Sequence, residues 1–337
     1  MKHRRALVSL GCATAVLVAA TLVTAPEVKA AEKGKPVVCL LPKKKGLPYF
    51  SSCAEGAAKA AAELGVELIY DGPTDGSPER AASMIEKWTL KKVDVIAVSP
   101  NDPEVLAPAM RKAREKGIRV ITWDADGKPD TRDFFVNQAT AKDIGYALVD
   151  TMAKDIGGEK PEGEVAIITA TLTAANQNSW IQYIKERLPT YPGLSLVTIK
   201  PSNEDQKLAF QVAQDLMKAY PNLKGIFAIS SVAFPGAAEA VRQAGMKGKV
   251  QVTGLATPND MREYVNDGTV KSVVLWNTAD LGYLTVCTAE ALLSGKLAPG
   301  ATTLAAGALG DKTVAGDNVL LGKIMVFTKD NIAQFDF

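Results

Sequence analysis

Several polar and aromatic side chains of this 337-residue sequence come directly after short apolar runs. They comprise a lysine, a carboxylate, a hydroxyl, planar amides and aromatic rings. Amides donate and accept hydrogen bonds, carboxylates accept them, and aromatic rings cover apolar C–H groups, so the set suits a hydroxyl-rich ligand. The candidate binding residues are Lys43, Tyr49, Phe50, Asp124, Asn137, Asn176, Gln177, Asn178, Ser231 and Asn277.

Each of these candidates also has a purely structural interpretation. Asp124 can cap a turn, and the triplet Asn176–Asn178 can cap the helix that follows it. The run Lys43–Lys45 can simply be solvated, and Trp123 and Trp276 can belong to the core. No single residue is specific for binding, but the shared position after apolar runs favours a common site.

Catalytic chemistry has little support in the sequence. The single histidine is His3, so residues 31–337 hold no Ser-His-Asp or Cys-His pair and no histidine metal ligand. G-x-S-x-G, Walker and strand-following G-x-G-x-x-G motifs do not occur. Asp124 and Asp126 can in principle do acid–base work, but no nucleophile lies near them in sequence. We therefore expect a protein that is not an enzyme and needs neither cofactor nor metal.

The first 30 residues resemble a secretory signal. Residues 2–5 are basic, the stretch from Ala6 to Ala25 is uncharged, and Val28-Lys29-Ala30 places small residues at the −3 and −1 positions of a cleavage site. Removal of this segment predicts a periplasmic protein that begins at Ala31. A retained membrane anchor is the alternative, whereas lipidation at Cys12 is disfavoured because the apolar run before it is very short.

The charge and the cysteines exclude further classes. Residues 31–337 keep 35 of the 39 basic and 36 of the 37 acidic side chains, a net charge of −1, so no basic field for nucleic acid is expected. Cys39, Cys53 and Cys287 are odd in number and widely spaced, which fits neither a disulfide framework nor a metal site. We expect them to be small buried side chains.

Short apolar strands alternate with amphipathic helical patterns along residues 31–337, and this alternation predicts parallel sheets covered on both faces. Ten strands exceed what one such sheet usually holds, so we expect two α/β lobes. The predicted strands are Val37–Leu41, Glu67–Tyr70, Asp94–Ser99, Arg119–Asp124, Phe134–Asn137, Val165–Thr169, Leu194–Ile199, Gly225–Ser230, Val250–Leu255 and Ser272–Asn277. The predicted helices are Ser51–Leu64, Pro78–Lys92, Pro103–Lys116, Ala141–Ile156, Asn178–Leu188, Gln206–Ala219, Pro235–Ala244 and Leu281–Leu293.

The segments LPKKKGLPYF, VIAVSPND, VITWDAD, TAANQNSW, LWNTADLGY and FTKDNIAQFDF occur in an order that resembles one family. It is the ribose-binding-like (type I) periplasmic binding proteins of sugar ABC transporters, in the branch of rhamnose-binding proteins and autoinducer-2 receptors. The resemblance implies two doubly wound lobes joined by three crossing segments, which close around a sugar. It also implies a membrane permease as partner and a monomeric protein. We place the crossings near Asn137–Ala139, Asn277–Ala279 and Leu321–Val326, so that the first lobe holds 31–137 plus 279–322 and the second holds 138–278 plus 323–337.

Within that branch the resemblance leaves two ligands open. Lys43, Asp124 and Gln177 resemble contact positions of the autoinducer-2 receptors, but Asn176 and Asn277 stand where those receptors carry aspartates. The Asn-Gln-Asn triplet is more similar to the rhamnose-binding proteins. The resemblance therefore favours a neutral monosaccharide or polyol delivered to an importer. Autoinducer-2 uptake or sensing is the alternative.

Overall fold

The computed structural model describes residues 34–157 and 160–337, and the predicted signal segment and Cys12 lie outside them. Its strands are β1 (Val37–Leu41), β2 (Glu67–Tyr70), β3 (Val95–Val98), β4 (Arg119–Trp123), β5 (Phe134–Asn137), β6 (Gly163–Thr169), β7 (Leu194–Pro201), β8 (Leu223–Ala228), β9 (Gln251–Gly254), β10 (Val273–Leu275), β11 (Thr303–Ala305), β12 (Asp311–Ala315), β13 (Asn318–Leu320) and β14 (Met325–Phe327). Its α-helices are α1 (Pro48–Leu64), α2 (Pro78–Lys91), α3 (Pro103–Glu115), α4 (Ala141–Gly157), α5 (Ala175–Arg187), α6 (Gln206–Ala219), α7 (Ala233–Gln243), α8 (Pro258–Asn266) and α9 (Thr278–Leu293).

Local sequence explains where the helices begin and end. Proline at the first position starts α1, α2, α3 and α8, where its missing N–H costs no hydrogen bond. The Ser77 side chain caps α2 by accepting from the backbone N–H of Arg80. Gly65 ends α1 in the left-handed conformation, with a φ of 68°, and its N–H bonds the carbonyl of Ala61.

The first sheet has the strand order β11-β12-β13-β5-β4-β3-β1-β2. Its part from β13 to β2 is parallel, and β11, β12 and β13 pair antiparallel at one edge. Helices α1 and α9 pack together beside β1 to β5, while α2 and α3 cover the opposite face through a separate apolar cluster around Ile85, Leu106 and Met110. Both faces are buried, which is why β1, β3 and β4 are nearly continuous apolar runs.

The second sheet has the order β7-β6-β8-β9 and is parallel throughout. The chain passes between the two sheets three times: after β5, between β10 and α9, and between β13 and β14. The α/β class with parallel sheets is therefore confirmed. Strand β10 departs from the prediction, because it pairs antiparallel with β14 instead of joining the second sheet.

Helices α1 and α9 approach unusually closely because glycines face backbone at their contact. A Cβ on Gly56 would lie 1.8 Å from the carbonyl oxygen of Ala279, and a Cβ on Gly282 would lie 1.7 Å from that of Cys53. No larger residue fits at either position without moving a helix. The contact joins the helix that follows β1 to the helix that follows β10.

Cys39, Cys53 and Cys287 are free and buried, as predicted. Burial raises the pKa of Cys39 and of Cys287 to about 12, so both stay protonated thiols near neutral pH. Within the described part of the chain, none of the helices is both long and apolar enough to cross a bilayer.

Candidate functional site

A cavity, here called the central cavity, opens where the carboxyl ends of the two sheets face each other. Ligands of open parallel sheets bind at such ends, because the loops that follow the strands converge there. Its lining includes seven of the ten predicted residues, which are Lys43, Tyr49, Phe50, Asp124, Asn176, Gln177 and Ser231. The remaining lining residues are Leu47, Trp180, Glu204, Ile229, Ser230, Leu255, Leu275 and Trp276.

Asp124 is the most heavily bonded polar group of the cavity. It directly follows β4 in a left-handed conformation, with a φ of 62°, which aspartate tolerates better than most residues. Its Oδ1 accepts from the Tyr49 hydroxyl at 2.8 Å, and its Oδ2 accepts from Ser99 Oγ at 2.8 Å and from Lys43 Nζ at 3.1 Å. Since a carboxylate offers about four acceptor positions, the protein itself uses most of this group.

A hydrogen-bonded chain leads into Asp124 from the other side of the cavity. Trp276 Nε1 donates to the Tyr49 hydroxyl at 3.0 Å, and that hydroxyl donates onward to Asp124. Burial first, and then the charge of Asp124, raise the pKa of Tyr49 well above its ordinary value. The phenol therefore stays protonated and fixes the direction of the chain.

Four aromatic side chains form one side of the cavity, here called the aromatic wall: Tyr49, Phe50, Trp180 and Trp276. Tyr49 meets Phe50 edge to face at 5.0 Å between ring centroids and meets Trp276 at 6.1 Å. Trp180 and Trp276 lie 6.3 Å apart. These contacts hold the rings in place and present apolar surface against which the C–H faces of a sugar can pack.

Two amides at the start of α5 lie across from Asp124. Gln177 Oε1 accepts from Thr169 Oγ1 at 2.5 Å and from the backbone N–H of Ala170 at 2.7 Å, so the amide nitrogen is the part of Gln177 that can donate to a ligand. Asn176 Oδ1 is buried and accepts from no donor among the described residues. A buried acceptor without a partner is costly, and a ligand donor removes that cost.

Two serines after β8 complete this polar side. Ser230 Oγ accepts from the backbone N–H of Ala233 at 3.0 Å at the start of α7. Ser231 lies on the cavity lining next to it. Ser230 thus has a structural role, and Ser231 is the hydroxyl available to a ligand.

Three predicted residues do not reach the central cavity. Asn178 is exposed and donates to the carbonyl of Leu172 at 2.9 Å, because α5 begins at Ala175, three residues earlier than predicted. Asn277 caps α9 by accepting from the backbone N–H of Asp280 at 3.1 Å. Asn137 lines a neighbouring space together with Asp126 and Asn176.

Asp124 and Asp126, the two carboxylates considered for acid–base chemistry, have different roles. Asp126 accepts from both Nε and Nη2 of Arg132 at 2.6 Å, and Arg132 also bonds Asp317 at 2.7 Å. The guanidinium is almost fully buried, so this ion pair fixes the turn after β4 to the loop between β12 and β13. Asp126 is a structural residue.

Glu204 was not predicted from the sequence, yet it lines the central cavity. It follows β7 with a φ of 52°, and its Oε2 is buried with no hydrogen-bond partner among the described residues. Burial first, and the charge of Asp124, raise the pKa of Glu204, while Lys43 and Lys44 act in the opposite direction. The position of Glu204 shortly after the end of β7 is a signal that could have identified it. The predicted strand, however, ended at Ile199 and not at Pro201, so Glu204 did not stand out as a residue that follows a strand.

The described residues contain no group of three or more histidine, cysteine, aspartate or glutamate side chains placed to hold a metal ion. The polar groups of the cavity are instead a lysine, two carboxylates, amides and a hydroxyl beside aromatic rings. This arrangement can bind and orient a polar solute.

The chain belongs to the periplasmic binding protein family, whose domain model matches residues 37–297. Proteins of this family are solute-binding proteins and not enzymes, as the sequence predicts, and the family implies a periplasmic location. It is similar to the ribose import binding protein RbsB of Escherichia coli, with 25% identity over 284 residues, which cover 84% of this chain and 93% of that protein.

Solved structures show the same relationship. A sugar ABC transporter protein from Actinomyces odontolyticus is 35% identical with a TM-score of 0.74, and the match covers 90% of this chain and 98% of that one. LsrB from Clostridium saccharobutylicum in complex with AI-2 is 28% identical with a TM-score of 0.84, covering 89% and 100%. A solute-binding protein from Clostridium phytofermentas with bound L-rhamnose is 28% identical with a TM-score of 0.81, covering 89% and 98%. The predicted branch is therefore confirmed, since both of its ligand types occur among these structures.

Proposed function

We propose that this protein binds a neutral monosaccharide, L-rhamnose or a close relative, in the central cavity and delivers it to the permease of an ABC importer. The observation that carries the proposal is the unpartnered Asn176 Oδ1, which is buried in the same cavity as the aromatic wall. A sugar hydroxyl can donate to this oxygen, while the amide nitrogen of Gln177 can donate to a second sugar oxygen. The aromatic wall then covers the C–H face of the ring.

The charges of the cavity support a neutral ligand. Lys43 lies 3.1 Å from Asp124, so these two largely compensate each other, and Glu204 adds a second carboxylate. A sugar acid would bring a third negative charge into a partly desolvated space, which is unfavourable. An uncharged polyol avoids this cost.

Autoinducer-2 is the second candidate ligand. Lys43, Asp124 and Gln177, the positions at which the sequence resembles autoinducer-2 receptors, meet in the central cavity. The structural similarity to LsrB supports this alternative. Asn176 argues against autoinducer-2. The resemblance to those receptors leads us to expect a carboxylate at this position, whereas this chain has an amide.

The three passages of the chain between the sheets support closure by a hinge. In this proposal the lobes comprise 31–137 plus 279–322 and 138–278 plus 323–337, and the signal segment directs a monomeric protein to the periplasm. A ligand that contacts residues after β1 and β4 as well as residues after β6 and β8 gains most of its contacts only when the lobes meet. Binding should therefore lower the radius of gyration.

A thermal-shift panel tests the proposal, with L-rhamnose, D-ribose, D-allose, D-arabinose and autoinducer-2 as probes. We expect L-rhamnose or another neutral sugar to raise Tm and to lower the radius of gyration in small-angle scattering. Asn176→Asp should weaken sugar binding and strengthen autoinducer-2 binding. The matched control is Asn178→Asp, which is on the same helix but exposed, and it should change neither. A wild-type protein that responds only to autoinducer-2 contradicts the sugar assignment and supports the second candidate.

A further inference from the structure

We propose that Glu204 is the specificity-determining acceptor of the central cavity, and that the ligand presents a hydroxyl donor to it. This inference rests on the proposed function, because it concerns the same site. It extends that function by assigning the ligand a donor at one defined place. It also predicts that a ligand carrying an acidic group there is rejected.

The two cavity carboxylates differ in how many hydrogen bonds they accept from the protein. Asp124 already accepts from Tyr49, Ser99 and Lys43, so little of its capacity remains. Glu204 Oε2 is shielded from solvent and accepts from no protein donor in the described ranges. Of the two carboxylates, Glu204 therefore gains more from a ligand donor.

The backbone at Glu204 has a conformation that is uncommon for this residue type. Asn203 and Glu204 both have a φ of 52°, in the left-handed region that asparagine tolerates but glutamate seldom adopts. Lys44 Nζ contacts the main-chain carbonyl of Glu204 at 3.5 Å, and the Ser230 hydroxyl interacts with the carboxylate, while Oε2 keeps no partner among the described residues. Strained positions of this kind concentrate at binding sites, where the surrounding structure holds a side chain for use.

The position of Glu204 indicates which part of the ligand it meets. Glu204 lies on the boundary between the central cavity and a second compartment, lined among others by Lys44, Asp75, Asn101 and Thr171. The ligand group that meets Glu204 is therefore the one that points toward this compartment. The charged groups that act on Glu204 are Lys43, Lys44 and Asp124, and the hydroxyl of Ser230 lies beside it.

Calorimetry on Glu204→Ala and Glu204→Gln tests the inference, with Glu115→Gln on the exposed part of α3 as the control. The probe is L-rhamnose, or the sugar of the panel that gives the largest thermal shift. Loss of a charged acceptor with a buried partner should weaken binding about 10-fold or more for Glu204→Ala. Glu204→Gln, which keeps one acceptor oxygen, should lose less, and the control should bind as wild type.

A second measurement needs no ligand. Because the pKa of Glu204 is raised in the folded protein, its ionisation opposes folding once the pH exceeds the unfolded carboxyl value of about 4.3. Glu204→Gln should therefore raise the Tm of the ligand-free protein at pH 8, and the gain should disappear as the pH falls toward 4. A glutamate with only a structural role would give a lower Tm at pH 8, and that result overturns the inference.

The outcomes separate this inference from the proposed function. If wild type binds a sugar and Glu204→Ala binds it within threefold, the role of Glu204 is refuted while the proposed function stands. If no sugar shifts wild type, the proposed function fails, and the assignment of Glu204 to a sugar hydroxyl fails with it.

Discussion

Replacing Asp124 by asparagine removes a buried charge that three protein donors share. The Tyr49 hydroxyl can keep donating to the amide oxygen, and the Ser99 hydroxyl can rotate and accept from the amide nitrogen, so both bonds can be remade. The ammonium of Lys43 has no such freedom, because it only donates. The variant therefore leaves a largely buried lysine facing an amide that bonds it weakly.

The size of the effect follows from these contacts. The side chains of Lys43 and Asp124 are 12% and 6% exposed, so water replaces little of the lost interaction. Loss of one charge-assisted bond, with its buried partner left behind, should lower the free energy of unfolding by about 2–4 kcal/mol. The exposed pair Lys45–Asp71, at 2.9 Å, is the matched comparison, and Asp71→Asn should cost less than about 1 kcal/mol.

Urea unfolding of the ligand-free variants measures both values, and calorimetry with the bound sugar should show a parallel loss of affinity. Adding Lys43→Met to Asp124→Asn should recover part of the stability, because it removes the unpaired ammonium. If Asp124→Asn costs no more than Asp71→Asn, the buried network does not hold the site together and this reasoning is wrong.

Two further changes test the frame around the cavity. Gly282→Ala should lower Tm by about 5 °C or more, because the new Cβ would overlap the carbonyl of Cys53. The control is Gly157→Ala, which should leave Tm unchanged because no atom lies within 4 Å of the new Cβ. Asn277→Ala removes the cap bond from Asp280 and should cost about 1 kcal/mol of stability with sugar affinity kept within twofold. A tenfold loss of affinity at unchanged Tm would instead place Asn277 in the binding site.

The buried parallel strands were the most predictable part of the fold. Strands β1, β2 and β5 have the bounds that the sequence predicts. For β1 and β5 the reason is that a strand covered on both faces must be an apolar run, whereas β2 is a partly exposed edge strand. Strands β11 to β14 were missed since most are three residues long, and β12 mixes charged and apolar residues. Such strands are determined by their partners in the sheet more than by their own sequence. Helix α8 was missed because it is short and polar.

The candidate site was predictable to the extent that it depends on strand ends. Lys43, Asp124 and Gln177 meet because the carboxyl ends of parallel strands share one edge. The direction in which a side chain points depends on where its helix begins, and the sequence did not predict this correctly for α5. Consecutive residues of a helix differ by about 100°, so Asn176 and Asn178 point differently once α5 begins at Ala175.

The close contact of α1 with α9 has a consequence for how this site can change. Tyr49 and Phe50 lie at the start of α1, and Trp276 precedes α9, so the glycine contact assembles most of the aromatic wall during folding. The rings are therefore already held in place before a ligand arrives, so binding does not have to order them. The segments after β6, β7 and β8 carry the amides Asn176 and Gln177, Glu204 and the serines, and they are free of this constraint. New selectivity can thus evolve, or be engineered, by exchanging those segments while the stacking surface is inherited unchanged.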